Sequence, residues 1–264
     1  MNKDHAETSW TVLLFKISRN VPLIAAFSLI ELLVCIGIIA ILLGILLPIL
    51  ASARHEGRRA ACLAELQQWS ATFQVYLNDN HSRQPPRGNT HYTMQEGAPL
   101  MWFELLANAR EVRRRLICPE ATDDSNGVPA SAFNAWGPDA FFDIGGKVRG
   151  PFFGSYGFNA WLYDDPDSAV AGPIHLPTKD SGEIPLIFDC ARLEIYAFDT
   201  DAPLRFAPLA TGSSGWLQLA ALERHQRATN MAFLDGHAET VPLPRLWKLK
   251  WSQTFQPQEV KITN

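Results

Sequence analysis

From Val21 to Ala53 the chain carries a single charged side chain, Glu31. So long an apolar run has few homes outside a membrane. Phe27 to Leu47 covers 21 residues. At about 1.5 Å per residue a helix over this stretch spans about 30 Å, the thickness of a bilayer core. Lys3, Lys16 and Arg19 precede it. Asp4 and Glu7 weigh little in orientation, so the N-terminus is expected in the cytoplasm and the C-terminal bulk outside it. Beyond the run the chain turns polar and rich in Trp, Phe, Gly and Pro. The 264 residues suffice for one anchor plus a domain of about 200 residues. Lys and Arg total 23 against 27 Asp and Glu, a net charge of -4. That balance argues against a nucleic-acid binder, which shows a basic face.

A cleaved signal peptide is the competing explanation. Ala51-Ser52-Ala53 matches an A-x-A cleavage pattern just after Pro48. Against it, the run exceeds the roughly 7 to 15 residues of a signal-peptide core. It also holds Glu31, and a carboxylate within a membrane segment is costly and points to a function.

The string Ala26-Phe27-Ser28-Leu29-Ile30-Glu31-Leu32-Leu33-Val34 resembles the processing site of type IV prepilins and type II secretion pseudopilins. In that family a leader is cut before a Phe, the new amine is methylated, the fifth mature residue is Glu, and a Pro follows twenty-one residues after the Phe. The resemblance implies cleavage between Ala26 and Phe27, methylation of Phe27, and assembly roles for Glu31 and Pro48. The residue before the cut is usually Gly and here is Ala26. Cutting there places an amine about one helical turn from Glu31, where it can neutralise Glu31 of a neighbouring subunit. Gly37, Ala40 and Gly44 permit close helix approach, though ordinary membrane-helix composition also explains them. Pro48 lacks an amide hydrogen and is expected to kink or loosen the helix.

Ala51 to Leu77 reads as an amphipathic continuation. Leu63, Leu66, Trp69, Phe73, Tyr76 and Leu77 recur at three- and four-residue spacing. A short helix is expected over Met101–Asn108 and strands over Tyr156–Tyr163, Pro185–Cys190 and Leu193–Phe198. The last two are expected to be joined by a turn at Ala191-Arg192. Asp235-Gly236 between Met231–Leu234 and Ala238–Val241 is a strong hairpin signal. The expected fold is α+β: a long N-terminal helix, transmembrane then amphipathic, packed on an antiparallel sheet with long loops, as in pilins. The expected organisation is a leader (1–26), a transmembrane helix (27–50), its amphipathic continuation (51–80) and an exported globular domain (81–264).

A second resemblance lies further on. His225, nine residues, then Asp235-Gly236-His237, with Asn230 and Phe233 between, is similar to the C-terminal segment of a large bacterial family. That family couples a prepilin-type N-terminus to a domain with this spacing. Ile117-Cys118-Pro119 and Ser155-Tyr156-Gly157-Phe158-Asn159 also resemble recurring pieces of it.

His225, Asp235 and His237 are the candidate ligands, since two His and a carboxylate can hold zinc or iron. Turn chemistry accounts for Asp235-Gly236 without any ligand, so no stoichiometric zinc is expected. Asp123-Asp124-Ser125-Asn126 and Asp164-Asp165-Pro166-Asp167 are oxygen-rich loops that could take Ca²⁺, though solvated turns explain them as well. Cys35 lies in the apolar run. Cys62, Cys118 and Cys190 would face an oxidising compartment, as one disulfide in any of three pairings or as buried thiols. No nucleophile motif or nucleotide-binding fingerprint is present, so the expectation is a non-enzyme. The resemblance implies a prepilin peptidase, other pilin-like subunits and an inner-membrane assembly platform as partners, in a single-pass inner-membrane protein. The alternative is a periplasmic module released after Ala53 that binds metal or glycan through His225, His237 and exposed Trp residues.

Overall fold

The computed structural model describes residues 28–85, 116–121, 135, 142–143, 148–149, 154–164, 174–203, 215–220, 222 and 224–262. Ala26, Phe27, Met101–Asn108, Asp123–Asn126 and Asp165–Asp167 lie outside them. The chain divides into two units, Met1–Ile49 and Leu50–Asn264. One helix, α1 (Leu29–Asp79), contributes to both.

In the first unit the described residues are helical from Leu29 and exposed throughout. Leu and Ile dominate, both compatible with a helix. Leu29 is 79 % exposed and Leu47 62 %, so apolar surface faces outward on every side. The segment is long and apolar enough to cross a membrane. Pro48 lies inside α1, which is assigned without a break across it.

The second unit packs the remainder of α1 on a sheet. Cys62, Leu66, Trp69, Ser70, Phe73 and Leu77 are its buried residues, spaced to form one stripe. Leu63 and Tyr76, expected in that stripe, sit at its half-buried margins. Two hydrogen bonds fix the docking. Ser70 Oγ donates to the Phe233 carbonyl at 3.0 Å, and Gln74 Nε2 to the Leu234 carbonyl at 2.5 Å. The helix ends at a left-handed His81 (φ 56°). There the Ser82 amide donates to the Leu77 carbonyl at 2.7 Å, the long bond of a Schellman cap.

The strands are β1 (Phe142–Asp143), β2 (Val148–Arg149), β3 (Tyr156–Asn159), β4 (Pro185–Asp189), β5 (Glu194–Ile195), β6 (Ala228–Phe233) and β7 (Ala238–Pro242). β1 and β2 pair as a separate ribbon, and the main sheet runs β5-β3-β4-β6-β7. One apolar cluster joins the helix stripe to Phe158, Leu186, Ile187 and Ala232. A second joins Phe188, Met231, Phe233 and Val241 to Trp247 and Trp251. Along β6, Met231 and Phe233 belong to one cluster and Ala232 to the other, the two-residue alternation of a strand covered on both faces.

The α+β expectation holds, with three corrections to its details. The sheet is mixed, because β5 pairs parallel to β3 instead of forming a hairpin with β4. β4 is already paired on both sides, by β3 and β6, so the chain must continue to the free edge of β3. It passes close over Gly157, where an added Cβ would come within 2.6 Å of the Arg192 carbonyl and of Cys190 Cβ. The second correction concerns Tyr156–Tyr163. The strand stops at Asn159, whose Oδ1 accepts the Trp161 amide at 3.2 Å and opens a 3-10 turn over Ala160–Leu162.

The third correction lengthens the Asp235-Gly236 turn by one residue. Leu234, expected on the strand, is part of the loop. The Gly236 amide donates to the Phe233 carbonyl at 3.1 Å, and the Phe233 amide to the His237 carbonyl at 2.9 Å. Gly236 has φ 100°. This is a three-residue hairpin loop, whose last position favours glycine. A Cβ at Gly236 would meet nothing within 4 Å, so Gly236→Ala isolates the backbone term. It should destabilise the fold by about 1 to 2 kcal/mol, read as a lower urea midpoint. An unchanged midpoint would contradict the assigned turn.

Candidate functional site

Four separate pieces of chain converge beneath the stripe of α1. Cys62 comes from α1, Cys118 from the segment 116–121, Asp189 from the last position of β4, and His225 from the turn before β6. Ser155 organises the meeting point. Its amide donates to the Leu116 carbonyl at 2.7 Å, its carbonyl accepts the Cys190 amide at 2.8 Å, and its hydroxyl accepts the Cys118 amide at 2.6 Å. The turn carrying Arg224 and His225 is closed by Gln226 (φ 55°) and Arg227 (φ 65°). Two successive non-glycine residues in this region are uncommon, and such strain concentrates where geometry is functionally constrained.

Asp189 is the centre. Its Oδ1 accepts from Arg224 Nη1 at 2.6 Å. Its Oδ2 accepts the Asn230 amide at 3.1 Å and lies 3.0 Å from His225 Nε2. The Cys62 thiol lies 3.6 Å from the same oxygen, and Cys118 Sγ lies 3.4 Å from His225 Nε2. Tyr156 reaches the edge, its hydroxyl 3.4 Å from Cys62 Sγ and donating to Glu65 at 2.7 Å. Cys62, Cys118 and Asp189 are fully buried and His225 is 1 % exposed. One donor atom from each of the four falls within 4.8 Å of the others.

Burial and charge compete at Cys118, Asp189 and His225 and act together at Cys62. Burial pushes the Cys62 thiol well above its ordinary value. For Cys118 burial pushes the same way, but hydrogen bonding with Cys62 and His225 and the nearby Arg224 outweigh it and the pKa falls. Burial would raise Asp189, yet Arg224 and His225 hold it below the usual carboxylate value. Burial disfavours charge on His225, but Asp189 and Cys118 prevail and raise it to about 9. The cluster is a polarised pair of thiols beside an ion-paired carboxylate and an imidazole, closed to solvent.

The three candidate ligands are not together. His225 is in the buried cluster, while Asp235 and His237 sit on the hairpin loop, 39 % and 42 % exposed at the side chain. There Asp235 Oδ1 accepts the His237 amide at 3.1 Å and pairs with His237 Nδ1 at 2.6 Å. The His237 ring stacks on Phe233 at 4.4 Å between centroids. Asp235 and Gly236 therefore have the turn role expected of them, and His237 shares it.

The partners of His225 were missed. Asp189 and Arg224 carry no spacing signal, and Cys62 and Cys118 read as disulfide candidates. Their only trace was three cysteines shared among helix, loop and strand. All four cysteines are free thiols. Cys190 lies outside the cluster, its pKa raised by burial to about 12. Of the Trp residues that the alternative reading invokes, Trp69, Trp161, Trp247 and Trp251 are buried and Trp216 is half-buried among the described residues. Glu31 and Pro48 are exposed on α1.

No family model matches this sequence, and neither the curated proteins nor the solved structures contain a match to it.

Proposed function

We propose that this chain is a pilin-like structural subunit, processed before Phe27 and assembling through its N-terminal helix into a pilus or a type II secretion pseudopilus. The observation that carries the reading is α1. Its first part is apolar and exposed on all sides, with Glu31 its one acidic residue near the N-terminus. In isolation such a surface requires lipid or like helices around it. The second part packs into an α+β unit with two buried apolar clusters. This division supports a subunit held by one helix, and the resemblance of residues 26–34 to prepilin processing sites supplies its proposed partners: a prepilin peptidase, like subunits and an inner-membrane platform.

An architectural rather than catalytic role fits the closed character of the cysteine cluster. The test is the mass of the mature chain recovered from membranes of cells that express a prepilin peptidase. The expected product begins at Phe27 and carries one added methyl group. A chain beginning at Arg54, or one retaining residues 1–26, would overturn the reading.

A further inference from the structure

We propose that Cys62, Cys118, Asp189 and His225 form a structural zinc site that ties α1 to the sheet. The expectation that no zinc is held rested on turn chemistry, and turn chemistry covers Asp235 and His237 only. His225 stands with two sulfurs and a carboxylate, a donor set of another kind.

The geometry supports four-coordinate binding. Zinc bonds of about 2.3 Å to sulfur and about 2.0 to 2.1 Å to nitrogen or oxygen, arranged tetrahedrally, set donor separations of about 3.3 to 3.8 Å. The separations here are 3.6 Å from Cys62 Sγ to Asp189 Oδ2, 3.4 Å from Cys118 Sγ to His225 Nε2 and 3.0 Å from Nε2 to Oδ2. The four donors all lie within 4.8 Å of one another. Closing the longest separations, which reach no more than 4.8 Å, by up to about 1 Å would complete the tetrahedron.

The chemistry selects the ion. Two sulfurs and an imidazole exclude magnesium and calcium, which take oxygen ligands. A mixed tetrahedral set of sulfur, nitrogen and oxygen suits zinc. Charge closes as well. Two thiolates, one carboxylate and a neutral imidazole total three negative charges. A divalent cation leaves one, and the buried Arg224 guanidinium bonded to Asp189 Oδ1 cancels it. A neutral assembly is what a buried site requires. Arg224 also supplies the outer support that ligating carboxylates generally have.

All four donors are buried, so the site has no side open to substrate and is of the closed, structural type. Its ligands come from α1, the 116–121 segment, the end of β4 and the turn before β6. The ion would clamp the long helix to three other pieces of chain, and part of its binding free energy would be folding free energy.

The experiment uses the full chain purified in detergent, with any affinity tag removed, from cells grown with added zinc. Metal is quantified by mass spectrometry and thiol state by alkylation. Wild type and His237→Ala should hold about one zinc per chain with Cys62 and Cys118 unlinked. Cys118→Ser and His225→Ala should lose at least about nine-tenths of it. Since those variants can fail to fold, wild type is also produced in medium with cobalt replacing zinc. Visible bands of tetrahedral cobalt bound to thiolate are then expected without any substitution. A metal-free wild type without cobalt bands would overturn the site. So would a Cys62–Cys118 disulfide in the isolated chain, or full zinc content in His225→Ala.

Discussion

Replacing Arg224 by methionine should destabilise the globular unit by about 3 to 5 kcal/mol. Arg224 is 1 % exposed and donates to Asp189 Oδ1 at 2.6 Å and to the Ser155 carbonyl at 3.2 Å. Methionine fills similar space, so little of the loss comes from packing. What remains is a fully buried carboxylate stripped of its guanidinium. Burial works to raise the Asp189 pKa, and Arg224 is the main influence that lowers it, so the variant leaves burial less opposed. Breaking a buried pair from one side is costly for this reason. Arg245→Met provides the contrast. Arg245 is 35 % exposed at the side chain and pairs with Glu239 at 2.7 Å, an interaction worth about 0.2 to 1 kcal/mol. For a unit of this size, melting should drop by about 10 °C in Arg224→Met and by no more than about 3 °C in Arg245→Met. Near-ultraviolet circular dichroism, sensitive to the buried Trp247 and Trp251, follows the transition. Equal shifts in the two variants would show that the Asp189–Arg224 pair does not hold the core as described.

The parts of this fold that were legible in the sequence are those governed by local patterns. The apolar run with Glu31 and the stripe through Leu66, Trp69, Phe73 and Leu77 both express helical periodicity. Asp235-Gly236 marked its hairpin because glycine tolerates the left-handed backbone that the loop requires. The misread pieces depend on distant competition. Whether Glu194–Ile195 could pair with β4 was decided by β6, which arrives more than thirty residues later and occupies that edge. Tyr156–Tyr163 has strand composition, but Asn159 uses its amide to start a 3-10 turn and to donate to the Pro185 and Trp251 carbonyls. The buried cluster was the least legible feature. Cys62 and His225 are 163 positions apart in the chain, and only the folded sheet brings them together. His225 and His237, only 12 positions apart in the chain, are placed apart by the same sheet, because β6 separates the turn before it from the loop after it.

Glu31→Val should abolish assembly while sparing insertion and processing. Valine makes the segment more apolar, so insertion is favoured. The scissile bond before Phe27 lies about one turn away, so cleavage is retained. In the assembled state the proposed partner of Glu31 is the amine of a neighbouring Phe27. Valine leaves that amine buried and unpaired, a loss on the order of 3 kcal/mol per contact, roughly a hundredfold in association. Repeated along a polymer, a loss of that size stops growth. Glu31→Gln keeps shape and hydrogen bonding without the charge and should fall between. The direct measurement is the fraction of chain trapped as multimers by crosslinking in intact membranes, with the mature mass of each variant as the processing control. Wild type should give a multimer ladder, and Glu31→Val a correctly processed, membrane-inserted monomer. An undiminished ladder in Glu31→Val would contradict assembly through this helix and its carboxylate.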